Sequence, residues 1–276
     1  MPCLIKYLTP NGLQPAPYSA DSLADAARYE PHDGVYTITN THNTMQVLKL
    51  DAHLNRLEDS ARQAGIPLQL DRARLRAALR SLIEEAGYGD VRFRITVPKA
   101  QPDNLILSVE PFKPLAADII ANGVRCITVK DAARHTPAAK TVDWMHDRAS
   151  IEKTLPADIF TGLLLGENGE ILEGLSSNFY AILNGELRTA GTGVLPGIAQ
   201  QIVFEIAPRV LPLRKDAVTV ADIPRLSEAF ITSSSRGIVP VIEIDGITIG
   251  EGKPGEQTQA LRREYTHWME RHLEEL

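Results

Sequence analysis

The chain has 276 residues, 43 % of them hydrophobic and 23 % charged, with a net charge of −6 at pH 7. That length supports one large or two medium domains around a sizeable core, and the interspersed charge excludes a basic nucleic-acid surface and a cationic membrane helix. Two cysteines, Cys3 and Cys126, are too few for a disulfide framework and lack metal-ligand spacing. The start "MPCLIKYLTPNG" has no long apolar segment, and no run reaches the ~18 apolar residues of a spanning helix. A cytoplasmic protein is expected, and a small, anionic ligand remains open to it.

Taken in chain order, helical and strand patterns alternate with no internal repeat. "LDAHLNRLEDSARQAGI" spaces Leu50, Leu54, Leu57 and Ala61 as one helix face and stops at Gly65. A second helix, "DRARLRAALRSLIEEAGYG", is capped by Asp71 and ended by Gly87. "VRFRITVPK" and "NLILSVEPF" read as a hairpin. The stretch 112–123 has little periodicity and precedes the strand "VRCITVK", so the domains are expected at 1–118 and 124–276 with a linker at 119–123. Beyond it, "DAARHTPAAKTVDW" is loop-like past Lys140 and enters a helix near Asp143. Two hairpins follow, one around "ENGE" and one around Asn184-Gly185. A helix then starts at about Ile198. Hairpins mixed with helices argue for an α+β fold rather than a doubly wound parallel sheet.

The seven histidines never fall into a pair at helical ligand spacing beside an acid, so no metal is expected. The "SSS" at 233–235 lacks a nucleophile elbow and reads better as a turn that offers hydrogen bonds to an anion. "PGIAQ" at 196–200 places backbone N–H groups at a helix start, where an anion is favoured. Lys140 stands in a small-residue stretch that could enclose its stem, lower its pKa and let the neutral amine condense with an aldehyde; the alternative is a solvent-facing lysine. With Glu173 as a lone acid before Gly174, the sequence offers the amine, the acid and the anion donors that pyridoxal phosphate requires.

The stretch "GLLLGENGEILEGLSSNFYAILNGELRTAGTGVLPGIAQQIV" resembles the signature of the class IV, or fold-type IV, pyridoxal-phosphate aminotransferases. That group includes branched-chain and D-amino-acid aminotransferases and aminodeoxychorismate lyases. "HLNRLEDSA", "VRFRITV" and "FITSSSRGIVPV" are similar to it in the same order, and Lys140 precedes Glu173 by about the interval these families keep. The resemblance implies a smaller N-terminal domain, a larger C-terminal one, pyridoxal 5′-phosphate between them, and a homodimer. It implies Lys140 as the Schiff-base lysine and catalytic base, Glu173 at the pyridine nitrogen, and a phosphate cradle from Arg56, Ile198, Ala199, Ser234 and Ser235. Arg56 has a surface ion pair as its alternative.

Several positions depart from the family. Ala199 stands where many relatives have threonine, so a phosphate-binding hydroxyl is missing. Met145 occupies a place that is often tyrosine in branched-chain enzymes, and Thr37 replaces a glutamate, as in the lyases. Tyr36 and Thr37 are expected at the substrate. Arg92 and Arg94 either meet its carboxylate or are outward strand residues. The expected activity is amino transfer between an amino acid and a 2-oxo acid. The alternatives are a lyase releasing pyruvate from an aminodeoxychorismate-like substrate and a non-catalytic cofactor-binding homologue, the last suggested by Ala199 and Arg236.

Overall fold

The computed structural model describes residues 2–130 and 132–276. Contacts divide the chain into two compact units: the first joins the chain up to Lys113 to Ala139–Asp147 and His272–Leu276, the second comprises Pro114–Ala138 and Arg148–Arg271. Among the described residues no helix is long and apolar enough to cross a membrane.

The first unit contains β1 (Leu4–Thr9), β2 (Gly12–Pro15), α1 (Leu23–Ala26), β3 (Gly34–His42), β4 (Gln46–Leu48), α2 (Leu50–Gln63), α3 (Arg72–Ala86), β5 (Val91–Pro98) and β6 (Leu105–Pro111). Asp71 caps α3 by accepting from the Arg74 N–H at 3.0 Å, and Gly87 ends it at φ +63°, a left-handed conformation that costs glycine nothing. Alternate residues of β5, Val91, Phe93, Ile95 and Val97, join Leu50, Leu54 and Leu57 of α2 and Leu75, Leu79 and Leu82 of α3 in one core. Each such side chain contributes about 1.5–3 kcal/mol on burial. The intervening residues, Arg92, Arg94 and Thr96, point to the opposite face of the sheet.

The second unit contains α4 (Ala117–Asn122), β7 (Val124–Val129), the last part of α5 (Val142–Glu152), β8 (Thr161–Leu165), β9 (Ile171–Gly174), β10 (Ser177–Leu183), β11 (Glu186–Arg188), α6 (Ile198–Ile206), β12 (Leu213–Arg214), β13 (Glu228–Ser233), β14 (Gly237–Ile244), β15 (Ile247–Thr248) and α7 (Glu256–Glu270). The last strand, β16 (Leu273–Glu275), returns to the first unit, whose sheet runs β16-β4-β3-β5-β6-β1-β2 and is antiparallel throughout. In the second sheet, β12-β11-β10-β13-β14-β7-β8-β9, the final strand also pairs with β10 and brings the sheet back on itself. Asn184 and Gly185 take φ +53° and +77° in the β10–β11 turn, as a two-residue hairpin of the right twist requires.

Contacts cut the chain differently from the sequence boundaries in two places. Residues 119–123 are not a linker: they belong to α4 and its glycine end, with Gly123 donating to the Ile119 carbonyl at 2.9 Å. Ala139–Asp147 groups with the first unit because β3 pairs with it, through the Tyr36 N–H to the Lys140 carbonyl at 3.0 Å and a bridge from Val35 to Thr141.

Candidate active site

In the first unit the chemistry collects beside α2. His53, Arg56 and Ser60 interrupt its leucines at helical spacing, so they share one buried side of the helix. The Ser60 Oγ accepts from the Lys140 N–H at 3.0 Å. With its carbonyl bound by Tyr36, Lys140 is thus held through both backbone groups just before α5. Its Nζ lies 4.7 Å from the centre of the Tyr36 ring, a cation–π distance. Arg56 is buried, with 8 % of its surface exposed, so it is no surface ion-pair residue.

Tyr36 and Thr37 are neighbours on a strand and therefore point to opposite faces. Thr37 is fully buried, and its Oγ1 lies 2.9 Å from His53 Nδ1. Burial, reinforced by the charges of Arg56 and Lys140, holds the His53 pKa well below its ordinary value. The unfolded chain therefore takes up a proton on His53 below about pH 6.5 while the folded chain does not. Stability should fall as pH drops from about 6.5 toward the folded pKa, and this fall should be smaller in His53→Asn. Urea midpoints at pH 7.5 and 5.0 check it; equal differences in the two proteins would count against a neutral buried imidazole.

The expectation for Arg94 needs correction. It is neither an outward strand residue nor available to a substrate carboxylate: its Nε and Nη2 donate to Glu30 Oε1, the former at 3.0 Å, and its Nη1 donates to the Leu23 carbonyl at 2.8 Å. Glu30 Oε2 accepts in turn from Thr96 Oγ1 at 2.6 Å. Arg92, more exposed, has its Nη1 3.8 Å from Glu110 Oε1 across the β5–β6 pair.

In the second unit Glu173 is only 4 % exposed at the end of β9, directly opposite Asn178 of β10. Its carboxylate accepts from Arg134 Nη1 at 3.2 Å and from the Leu195 N–H at 3.3–3.4 Å. Asn178 donates to the Leu195 carbonyl at 2.9 Å, so the loop before α6 is tied to both strands. Gly197 caps α6, and a Cβ there would come 2.0 Å from Asn178 Oδ1; only a bare backbone lets the helix start this close. Ile198 and Ala199 open α6 at this point, both buried. Asn178 also pairs with Thr232 of β13, one residue before Ser233, and Ser234 and Ser235 form the turn from β13 to β14. Register alone thus brings Glu173, the α6 start and the two serines to one end of the second sheet.

The family "Amino-transferase class IV" matches residues 34–244. The chain belongs to the class IV aminotransferases. Among the relatives of this aminotransferase is the D-alanine aminotransferase of Bacillus licheniformis, 29 % identical over 246 residues that cover 84 % of this chain and 86 % of that one. In fold it is similar to the T.th. branched-chain amino acid aminotransferase with pyridoxamine 5′-phosphate, at TM-score 0.81 and 20 % identity over 99 % of this chain and 98 % of that one. The branched-chain amino acid aminotransferase of Escherichia coli is alike too, at TM-score 0.77 and 20 % identity over 98 % and 95 %. The aminotransferase therefore has the two-domain α+β architecture called fold type IV.

Three residues beside the candidate site residues escaped sequence reasoning: Arg134 beside Glu173, and His53 and Ser60 near Lys140. For the last two the signal was present, because polar residues one turn to either side of Arg56 interrupt an otherwise apolar helix face. Arg134 carried no such signal; it lies in an irregular segment.

Proposed function

We propose that this chain moves an amino group between an amino acid and a 2-oxo acid with pyridoxal 5′-phosphate as its cofactor. The observation that carries the reading is the fixing of Lys140 through its own N–H and C=O while its amine stays beside the Tyr36 ring. Holding a catalytic group through its backbone fixes the point from which its side chain acts, which is the positioning that proton transfer requires. The residues suit the cofactor: Gly197 opens a close-approach helix start, Glu173 is a buried ionic acid, and a buried arginine, Arg56, stands one turn before the serine that binds the Lys140 N–H.

When bound, pyridoxal phosphate supplies an aldehyde for an amine and a ring that draws electrons from a deprotonated Cα. Lys140 Nζ anchors it at rest and serves as the base and acid that moves the proton at the substrate Cα. Glu173 would hold the pyridine nitrogen, its carboxylate oriented by Arg134 Nη1 and the Leu195 N–H. Arg56, the N–H groups of Ile198 and Ala199 and the hydroxyls of Ser234 and Ser235 hold the phosphate; the serines stand in for the hydroxyl that Ala199 lacks. Tyr36 borders the substrate. Thr37 does not call for a lyase, since its hydroxyl is engaged by His53.

Burial raises the Cys3 and Cys126 thiols to about 12, which leaves them inert and suits a reducing, cytoplasmic setting. The working form in this reading is a homodimer. The test supplies purified protein and pyridoxal phosphate with a panel of D- and L-amino acids, alanine and leucine included, and 2-oxoglutarate. The expected result is a new amino acid formed one for one with the donor consumed. Pyruvate release from a chorismate-derived amine, with no acceptor required, would replace this reading by the lyase.

A further inference from the structure

His53 is fully buried, yet only one edge of its ring is paired. Nδ1 lies 2.9 Å from Thr37 Oγ1, whereas Nε2 is enclosed by the protein and meets no hydrogen-bond partner among the described residues. Stranding a buried polar atom costs about 1–3 kcal/mol, and a ligand that pairs with it removes that cost. The neighbours set the ligand's charge. Arg56 lies one turn along the same buried side of α2, and Ser60, one turn further, holds the N–H of Lys140. Burial first, and then the charges of Arg56 and Lys140, depress the His53 pKa, so the ring is neutral and carries a single N–H. A neutral ring in the field of two cations suits an anion and disfavours a metal ion or a protonated amine.

The position of the ring hydrogen decides what this edge can hold. With the Thr37 hydroxyl donating to Nδ1, the hydrogen sits on Nε2, at the edge away from β3. The other tautomer would spend its N–H on Thr37 and turn a lone pair toward an anion, which repels it. Of the anions this reaction handles, the cofactor phosphate is the one already assigned to Arg56, on the same side of the helix. A neutral imidazole donates to it without placing a third positive charge in a buried site, where an added charge is costly.

We propose that His53 donates its Nε2–H to the cofactor phosphate beside Arg56, and that Thr37 is the positioning residue that fixes this tautomer. The proposal rests on the aminotransferase reading above and adds a donor to the phosphate set named there. Its test compares wild type with His53→Asn, His53→Gln and Thr37→Val, with circular dichroism to establish folding. The asparagine amide reaches the place of Nδ1 and keeps Thr37 paired, whereas the glutamine amide reaches the place of Nε2. Pyridoxal phosphate should bind His53→Asn about ten- to a hundredfold more weakly, the range of a hydrogen bond to a charged group, and His53→Gln within about threefold of wild type. Pyridoxal, which lacks the phosphate, should bind all four alike. Nitrogen NMR of histidine-labelled wild type, with the His53 signals identified by their loss in His53→Gln, needs no variant that binds cofactor. It should show the hydrogen on Nε2 and a shift of that signal on adding pyridoxal phosphate but not pyridoxal; Thr37→Val should let the other tautomer appear. A hydrogen on Nδ1 in wild type, an Nε2 signal that ignores pyridoxal phosphate, or a loss shared equally by pyridoxal overturns the proposal and makes His53 a packing residue. A wild-type chain that takes up no pyridoxal phosphate overturns the aminotransferase reading and this proposal with it.

Discussion

Lys140→Ala should lower amino transfer by at least about 10³-fold, since positioned proton transfer alone is worth some 10²–10⁴ and the covalent anchor goes with it. The fold should survive, because the contacts that fix this position run through the backbone N–H and C=O, which alanine retains. Lys140→Arg separates chemistry from charge. A guanidinium keeps the positive charge over Tyr36 but never gives up its proton near neutral pH, so this variant should fare no better as a base. Two measurements check the prediction: kcat with the best donor, and the mass of protein treated with pyridoxal phosphate and borohydride. Wild type should gain the reduced cofactor on Lys140 and the alanine variant should not. Activity within tenfold of wild type, or an unchanged covalent adduct in Lys140→Ala, would remove Lys140 from the centre of the mechanism.

Glu30→Gln should destabilise the protein by about 3–5 kcal/mol, the usual effect of stranding one partner of a buried ion pair. Glu30 has a side chain with no exposed surface, and its two oxygens take Arg94 and Thr96 between them, while Arg94 is 3 % exposed. Glutamine preserves the shape but leaves a guanidinium in a place with little water. At about 2–4 °C per kcal/mol for a chain of this size, the melting temperature should fall by roughly 10 °C. Pairing the change with Arg94→Met should recover part of the loss, because two uncharged partners demand less than one orphaned charge. A fall below about 1 kcal/mol in Glu30→Gln, measured by urea unfolding, would mean that water reaches Arg94. Activity provides a second check: if Arg94 met the substrate, Arg94→Met would raise KM far more than it lowers stability.

What could be read in advance was whatever depends on neighbours in the chain. Gly87 ends its helix and Asn184-Gly185 turns its hairpin because backbone geometry at those positions is a local matter. The helix start at Ile198 was likewise legible, from the glycine just before an apolar helix. Pairings made across the fold were not. Glu30 and Arg94 lie on separate elements far apart in the sequence, and only the register of β5 against β3 and β6 turns Arg94 inward. The same holds for Lys140, whose segment was assigned by proximity to the C-terminal half, although hydrogen bonds to Tyr36 and Ser60 group it with the first unit. Thr37 looked like a substrate residue until strand alternation set it against His53.

The pairing of β16 with β4 has a bearing on how the protein is made. A ribosome releases β1 to β6 early, yet the sheet they form lacks its edge strand until nearly the whole of this sequence has emerged, with the entire second unit threaded in between. Completion of the first unit is thus a late, long-range event during translation, of the sort that slows folding and prolongs exposure of an unpaired edge to chaperones.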